Sequence, residues 1–505
     1  MFLAEPLTDI INSSLKQGIY GTPWKFEWVS VVPKLLRLQV IKNVRKISST
    51  SDYSKIFEGF LKDWILEDIS DKLNLSQYGG RKGTGTEHMI VNLVERILKL
   101  LDSSESTAVI KTCADWSDAF SRVDPTKAIS KFIMMGVRSS LIPVLIDYLT
   151  GRKMKVKMNS KESKIKDLIG GGPQGSQIGQ LTYLVSSDEC PQDVDTDDGY
   201  KYIDDLEVLE LVFLAGILID YDFTTHIASD VGIKDKFLPP YQCKTQSINN
   251  RIASWTSDNK MKINESKSNY MIFTRCQQPF STRLTMNNVK LDQVRVTKLL
   301  GMWISDDLSW ERNTREICKK AYSRMPILTK LKYVGSKRSD LVDIYCKVIR
   351  TTTEYCSSSF HHSLTVHQEQ KLESIQRTSL KIILAEEYES YEKSLILLKL
   401  EKLSVRRLRR CLNFGLKSIK HKTNSRMFPL NHTSKHNLRD QEAYYVNFAR
   451  TEIYRKSAIP SIQRMLNAHA VRLGAGAGVA AGLRRRRGLL HKGGLGLEQG
   501  PWGPD

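Results

Sequence analysis

Apolar residues recur at three- and four-residue intervals through "SKIFEGFLKDWILEDISDKL" (Ser54 to Leu73) and "EHMIVNLVERILKLL" (Glu87 to Leu101), which predicts two amphipathic helices. The glycine-rich, basic "QYGGRKGTGT" between them reads as a loop. The pattern then changes. "STAVIKTCADWSDAF" is short, β-branched and apolar until it meets acids, which suits a buried strand ending at Asp115. A helix is expected from about Pro125 to Leu149, followed by a hairpin over "MKVKMNSKESKIKDLI" with alternating basic positions. "GGGPQGSQIGQLTYLV" reads as a glycine-rich turn entering an apolar helix, and "SSDECPQDVDTDDG" as an acidic loop.

In "GYKYIDDLEVLEL" apolar and aromatic residues flank Asp204 and Asp205, which predicts strand, tight turn and returning strand with both carboxylates at the tip. "QSINNRIASWTSDNKMKINESKSNYMIF" reads as helix, turn and strand, and "VTKLLGMWIS" as a strand or hairpin. From about Arg312 to Lys420 the pattern is helical and basic, the mark of an all-helical second domain. Beyond about Ala470 the chain is mostly Gly, Ala, Leu and Arg, a composition that holds no packed core, so a disordered tail is expected over 471–505.

Charge narrows the partners. Lysine and arginine number 76 against 55 acids, a net +21, which points to polyanions and to nucleic acid first. The eight cysteines stand singly, without CxxC pairs or a dense disulfide pattern, so an intracellular, reducing setting is expected, nucleus or cytoplasm. The most apolar run, Leu206 to Phe223, carries Glu207, Glu210 and Asp220 and is no membrane span. The first ten residues lack the basic start of a signal peptide. At 505 residues two or three domains are expected.

Adjacent carboxylates repel unless water screens them or a cation lies between them. With Asp115 at a separate strand end, Asp204 and Asp205 make a set of short, hard oxygen donors suited to Mg²⁺ and to two-metal phosphoryl transfer. A bare Asp-Asp pair is otherwise a solvated turn. His361, His362 and His367 have no cysteine at finger spacing and read as structural or surface histidines.

The ordered set "DWSDAF", "PQGS" and "YIDDL" resembles the palm motifs of reverse transcriptases. "WKFEWVSVVPK", "RKISSTSDYSKIFE" and "QYGGRKGTGT" are similar to the fingers of non-LTR, LINE-type retrotransposon reverse transcriptases. "NKMKINESKSNYMIF" and "LLGMWISDDLSW" are similar to the later palm motifs. The resemblance runs from about Pro23 to Asn467. It implies an α+β, right-hand polymerase: an N-terminal extension (1–22), fingers and palm with an antiparallel sheet (23–310), a helical, basic thumb-like domain (311–420) and a C-terminal region (421–470).

Carried over position by position, the resemblance implies that Asp115, Asp204 and Asp205 hold two Mg²⁺ ions and that Lys267 gives a proton to the departing pyrophosphate. Phe120 is expected at the aromatic gate that disfavours a 2′-hydroxyl, with Gln174 and Gly175 in the turn against template base and nucleotide. Arg45 and Arg81 are candidates for the triphosphate, and Arg406, Arg407, Arg409 and Arg410 for a stripe along a phosphate backbone.

The implied activity is RNA-directed DNA polymerisation, with an RNA template, a DNA primer and deoxynucleoside triphosphates as partners and no membrane. Two departures stand out: "QIGQLTYLV" follows "PQGS" where the family commonly has "LGPLLF", and the loop before Tyr200 is unusually acidic. Only 22 residues precede Pro23, too few for the family's endonuclease domain, so DNA nicking is not expected and the chain reads as part of a longer reading frame. An RNA-dependent RNA polymerase is disfavoured by "YIDD" and Phe120. A relic that only binds RNA remains the non-enzymatic alternative.

Overall fold

The computed structural model describes residues 3–33, 44–103, 107–158, 161–173, 175–190, 198–213, 236–238, 244–275, 280–431 and 443–472. The chain is of mixed α+β class. Helix α1 (Ala4–Gln17) leads to strands β1 (Phe26–Pro33) and β2 (Val44–Ser49), helices α2 (Asp52–Ile69) and α3 (Thr86–Asp102), and strand β3 (Thr107–Ala114). Next come α4 (Pro125–Met134), α5 (Ile142–Leu149), β4 (Lys153–Met158), α6 (Gln177–Ser186), β5 (Gly199–Tyr202), β6 (Asp205–Phe213), α7 (Lys244–Asp258) and β7 (Asn269–Thr274). The later part holds the hairpin β8 (Val296–Leu299) and β9 (Met302–Ser305), then helices α8 (Glu311–Tyr322), α9 (Met325–Tyr333), α10 (Val366–Leu384), α11 (Leu403–Lys420) and α12 (Ala458–Arg472).

Two compact units divide the chain. One comprises Met1–Met89 with Ser104–Val296; the other Ile90–Ser103 with Thr297–Asp505. The break therefore falls at Val296 rather than at 310, and most of α3 belongs with the second unit.

In the first unit the central sheet runs β7–β3–β6–β5, all antiparallel, with Asp292–Gln293 along the outer side of β7. Alternation along the strands sets two faces. Ala108, Ile110 and Ala114 of β3, Leu206, Val208 and Val212 of β6, and Tyr270 and Ile272 of β7 pack with Ile248, Ile252 and Trp255 of α7. A second core joins α2 to α4, α5 and α6 through Phe57, Leu61, Ile65, Phe132, Leu145 and Ile178, all buried. Each such side chain contributes roughly 1.5–3 kcal/mol on leaving water.

The helix expected over 125–149 is instead two. Gly136 takes φ +80° after α4, a 3₁₀ turn spans Ser139–Leu141, and Pro143 sits in the first turn of α5, where its missing N–H costs nothing. The expected hairpin after it forms between β4 and Lys161–Glu162, and β4 also lies parallel to β1. In the second unit, α11, the stretch Met427–Leu430 and α12 share a core through Cys411, Phe414, Phe428, Ile462 and Leu466. The 473–505 part of the expected tail lies outside the described residues. Among the described residues no helix is long and apolar enough to cross a membrane.

Candidate active site

The sheet delivers the acids by register. Ala114 pairs with Leu206 across β3 and β6, so the next step along both strands sets Asp115 beside Asp205. On the other side of β3, Asn269 pairs with Cys113, which sets the turn before β7 beside Asp115. That turn holds the first acid from several directions. The Asn264 amide Nδ2 donates to Asp115 Oδ2 at 3.1 Å, Lys267 Nζ lies 3.5 Å from the same oxygen, and the Asp115 backbone N–H donates to Ser268 Oγ at 3.1 Å.

Asp204 stands in the two-residue turn between β5 and β6, where Tyr202 pairs with Asp205. Ile203, the first residue of that turn, has φ +60°. Hairpins favour glycine at such a position, and a β-branched residue there costs about 1–3 kcal/mol. Its backbone N–H donates to Gln77 Oε1 at 3.1 Å.

Desolvation pushes the Asp205 carboxyl up to about 7, with the charges of Asp204, Glu207 and Asp115 adding and Lys111 opposing. Asp204 is raised by the same burial and by Asp115, against Lys267. Further along the same strands Lys111 Nζ meets Glu207 Oε2 at 2.5 Å, both side chains fully buried. The site thus carries more negative charge than its solvation supports, the condition that a divalent cation relieves.

The sequence leads one to expect three acids closing around two ions. Among the described residues no three His, Cys, Asp or Glu side chains converge as a metal-holding group. Register sets Asp205 beside Asp115, Asp204 stands in the turn rather than in a strand, and the charge of Asp115 raises both. The donor set is open. It still fits Mg²⁺, which takes one or two carboxylates and completes its shell with water and phosphate oxygens.

Phe120 stacks on Tyr183 with ring centroids 4.8 Å apart. Tyr183 is held far above its ordinary value by burial, with the charges of Asp204 and Asp205 contributing, which ties this aromatic pair to the acids. Gly175 takes φ +110°, and a Cβ there would stand 2.8 Å from the Ser48 carbonyl of β2, so this turn needs glycine. Gln174 lies outside the described residues. The backbone of Arg45 pairs with Val32 in β2, and its side chain lies outside the described residues. Arg81 donates from Nη1 to the carbonyls of Asn74 at 2.8 Å and Leu73 at 3.4 Å, which fastens that end of its guanidinium to the loop.

The chain is similar to known proteins. No family model matches the chain. It is 23% identical over 320 residues to the probable RNA-directed DNA polymerase from transposon BS of Drosophila melanogaster, covering 63% of the chain and 33% of that protein. It is 24% identical over 363 residues to that from the transposon X-element of the same fly, covering 69% and 36%. The chain is a homologue of transposon RNA-directed DNA polymerases. The polymerase of mobile element jockey matches at 21% over 61% of the chain and 32% of its own length, so this homologue spans about a third of the curated relatives it matches. Telomerase of Candida tropicalis, in complex with a fragment of telomeric RNA, superposes at a TM-score of 0.38 with 9% identity, over 97% of this chain and 68% of that one. So loose a superposition carries no argument.

In the second unit of this transposon-polymerase homologue the expected arginine stripe is not a stripe. Leu403, Arg407, Cys411, Phe414 and Ser418 form the buried face of α11, so Arg407 is wholly buried. Its nearest acid, Glu369, is 3.8 Å away. Arg406 binds Glu354 at 2.5 Å through Nε, Arg409 binds Glu401 at 2.7 Å through Nη1, and Arg410 lies 3.9 Å from Glu354. The basic residues "RRLRR" thus mostly neutralise local acids. The same unit has a cleft of about 470 Å³ whose lining includes Lys298, Trp303, Asn313, Lys320 and Arg324. These residues carry no signature of their role in the sequence, and neither do Asn264, Ser268, Gln77 or the Lys111–Glu207 pair. "NES" after Lys262 is the one local signal, since Asn and Ser favour turns whose side chains bond backbone.

Proposed function

We propose that the chain is the polymerase portion of a non-LTR-type reverse transcriptase, acting inside the cell, in nucleus or cytoplasm. It adds deoxynucleotides to a DNA primer 3′-hydroxyl on an RNA template. In this reading the first unit supplies fingers and palm, and the helices after Thr297 supply the thumb. The observation that carries the reading is the convergence of Asp115, Asp205 and the turn bearing Asp204 at one end of the β3–β6 pair, with Lys267 3.5 Å from Asp115.

Asp115, Asp204 and Asp205 would hold two magnesium ions. When bound, Mg²⁺ supplies charge stabilisation at the phosphoryl oxygens and makes the attacking hydroxyl more acidic. Asn264 and Ser268 orient Asp115 through its carboxylate and its backbone. Lys267, 3.5 Å from Asp115, would donate a proton to the leaving pyrophosphate. The Phe120 ring, backed by Tyr183, narrows the space for a 2′-hydroxyl. The net charge of +21 favours the polyanionic template and primer.

Primer extension on an RNA template with the four deoxynucleoside triphosphates and Mg²⁺ tests this. The wild-type chain incorporates and Asp204→Ala does not. Equal incorporation by both overturns the polymerase reading, and incorporation by neither, with RNA retained, favours the RNA-binding relic.

A further inference from the structure

The Ser76–Gly80 segment lies against the turn that carries Asp204. Lys201 of β5 donates its backbone N–H to the Ser76 carbonyl at 2.8 Å, and Tyr78 donates to the Lys201 carbonyl at 2.8 Å, so Gln77 bridges Lys201 in parallel like a short added strand. Tyr78 stacks on Tyr200 at 6.2 Å. From this edge the Gln77 side chain, 2% exposed, turns inward. Its Oε1 accepts from the N–H of Ile203 at 3.1 Å and from that of Gly79 at 3.0 Å. Gly79 touches the turn so closely that a Cβ would stand 2.6 Å from Ile203 Cγ1 and 2.7 Å from its backbone nitrogen.

The positive φ of Ile203 is a conformation this residue type leaves unless its surroundings forbid it. Gln77 fixes the peptide N–H at that residue, and the Gly79 backbone occupies the space into which the turn would relax. We propose that Gln77, seated by Gly79, is a positioning residue that locks the strained turn and so sets the placement of Asp204. It touches neither substrate nor the reacting atoms. Without it Ile203 drifts toward negative φ, the peptide leading into Asp204 rotates, and the carboxylate leaves its working position. A displacement on the order of 1 Å costs a catalytic group about 100-fold in rate.

This inference rests on the polymerase reading for its chemistry and on the turn geometry for its residues, and the two are separable. Three forms of the full chain are compared: wild type, Gln77→Leu, and Gln77→Leu with Ile203→Gly. Glycine takes positive φ freely, so the second substitution removes the need for the lock. Primer extension gives kcat and KM, and electron paramagnetic resonance gives Mn²⁺ affinity without turnover. Gln77→Leu lowers kcat about ten- to a hundred-fold and weakens Mn²⁺ binding, with KM for the nucleotide within about threefold. Adding Ile203→Gly restores most of both, which a loss of general stability would not allow. Gln77→Asn, which keeps an amide but withdraws it by one methylene, gives the same loss should Gln77→Leu fold poorly. Wild-type kcat in Gln77→Leu, or no recovery in the double variant, overturns the inference and leaves the polymerase reading intact. A wild type without incorporation but with the same pattern of Mn²⁺ affinities overturns the reading and leaves the lock.

Discussion

Asn264 donates its amide to Asp115 Oδ2 at 3.1 Å across 149 residues of chain. A hydrogen bond to a charged acceptor contributes roughly 1.5–3 kcal/mol. Asn264→Ala should therefore lower the melting temperature and, by freeing the Asp115 carboxylate to turn, lower kcat in primer extension about ten- to a hundred-fold. An unchanged kcat would show that Lys267 and the sheet alone orient Asp115.

The buried Lys111–Glu207 pair makes a sharper demand. Lys111→Met strands a carboxylate in the sheet and should destabilise the chain by about 3–5 kcal/mol in urea denaturation. Lys111→Met with Glu207→Leu removes both charges and should recover most of that loss. A double variant as unstable as the single one would mean that packing volume, and not the stranded charge, sets the cost.

Glu95 gives the second unit a pH dependence of its own. Its side chain is buried, accepts from Ser457 Oγ at 2.8 Å, and is pushed up to about 7 by desolvation, against its hydrogen bonds. A carboxyl raised on folding binds its proton more tightly in the native state, so its stabilising contribution is complete below about 4.5 and is lost as pH rises through about 7. Melting temperature should fall across that interval by the equivalent of about 3 kcal/mol. Glu95→Gln should flatten that slope, and an unchanged slope would assign it to other groups.

Arg407 has no hydrogen-bond partner at Nε, Nη1 or Nη2 among the described residues, and burial lowers its pKa. A buried group left without hydrogen bonds costs about 1–3 kcal/mol, a cost that an apolar side chain of similar length avoids. Arg407→Met should raise the melting temperature and leave RNA affinity in a filter-binding titration unchanged. A drop in affinity without loss of stability would return Arg407 to the nucleic-acid surface.

How far the sequence reached follows from the range of the interactions involved. Asp115 and the Asp204–Asp205 turn were legible because strand period and hairpin chemistry are local, and both acids stand where an apolar run stops. Asn264 and Gln77 were not, because their partners lie 149 and 126 residues away and nothing nearby marks them. The arginines of α11 misled for a different reason. Their charge was read before the phase of the helix, and it is the phase of Leu403, Cys411, Phe414 and Ser418 that buries Arg407. The broken helix between Pro125 and Leu149 turns on Gly136 and Pro143, both visible in the sequence but outweighed by an otherwise continuous apolar period.

The two-residue turn between Tyr202 and Asp205 leaves the centre no slack. Side chains alternate with every step of a strand, so one residue inserted between Asp205 and Leu206, with the apolar register of β6 held, would push Asp205 one step on to the opposite face and set the inserted residue beside Asp115. A single-codon insertion here would therefore displace an acid from the centre with no carboxylate removed, while leaving the hydrophobic cores of the first unit to fold.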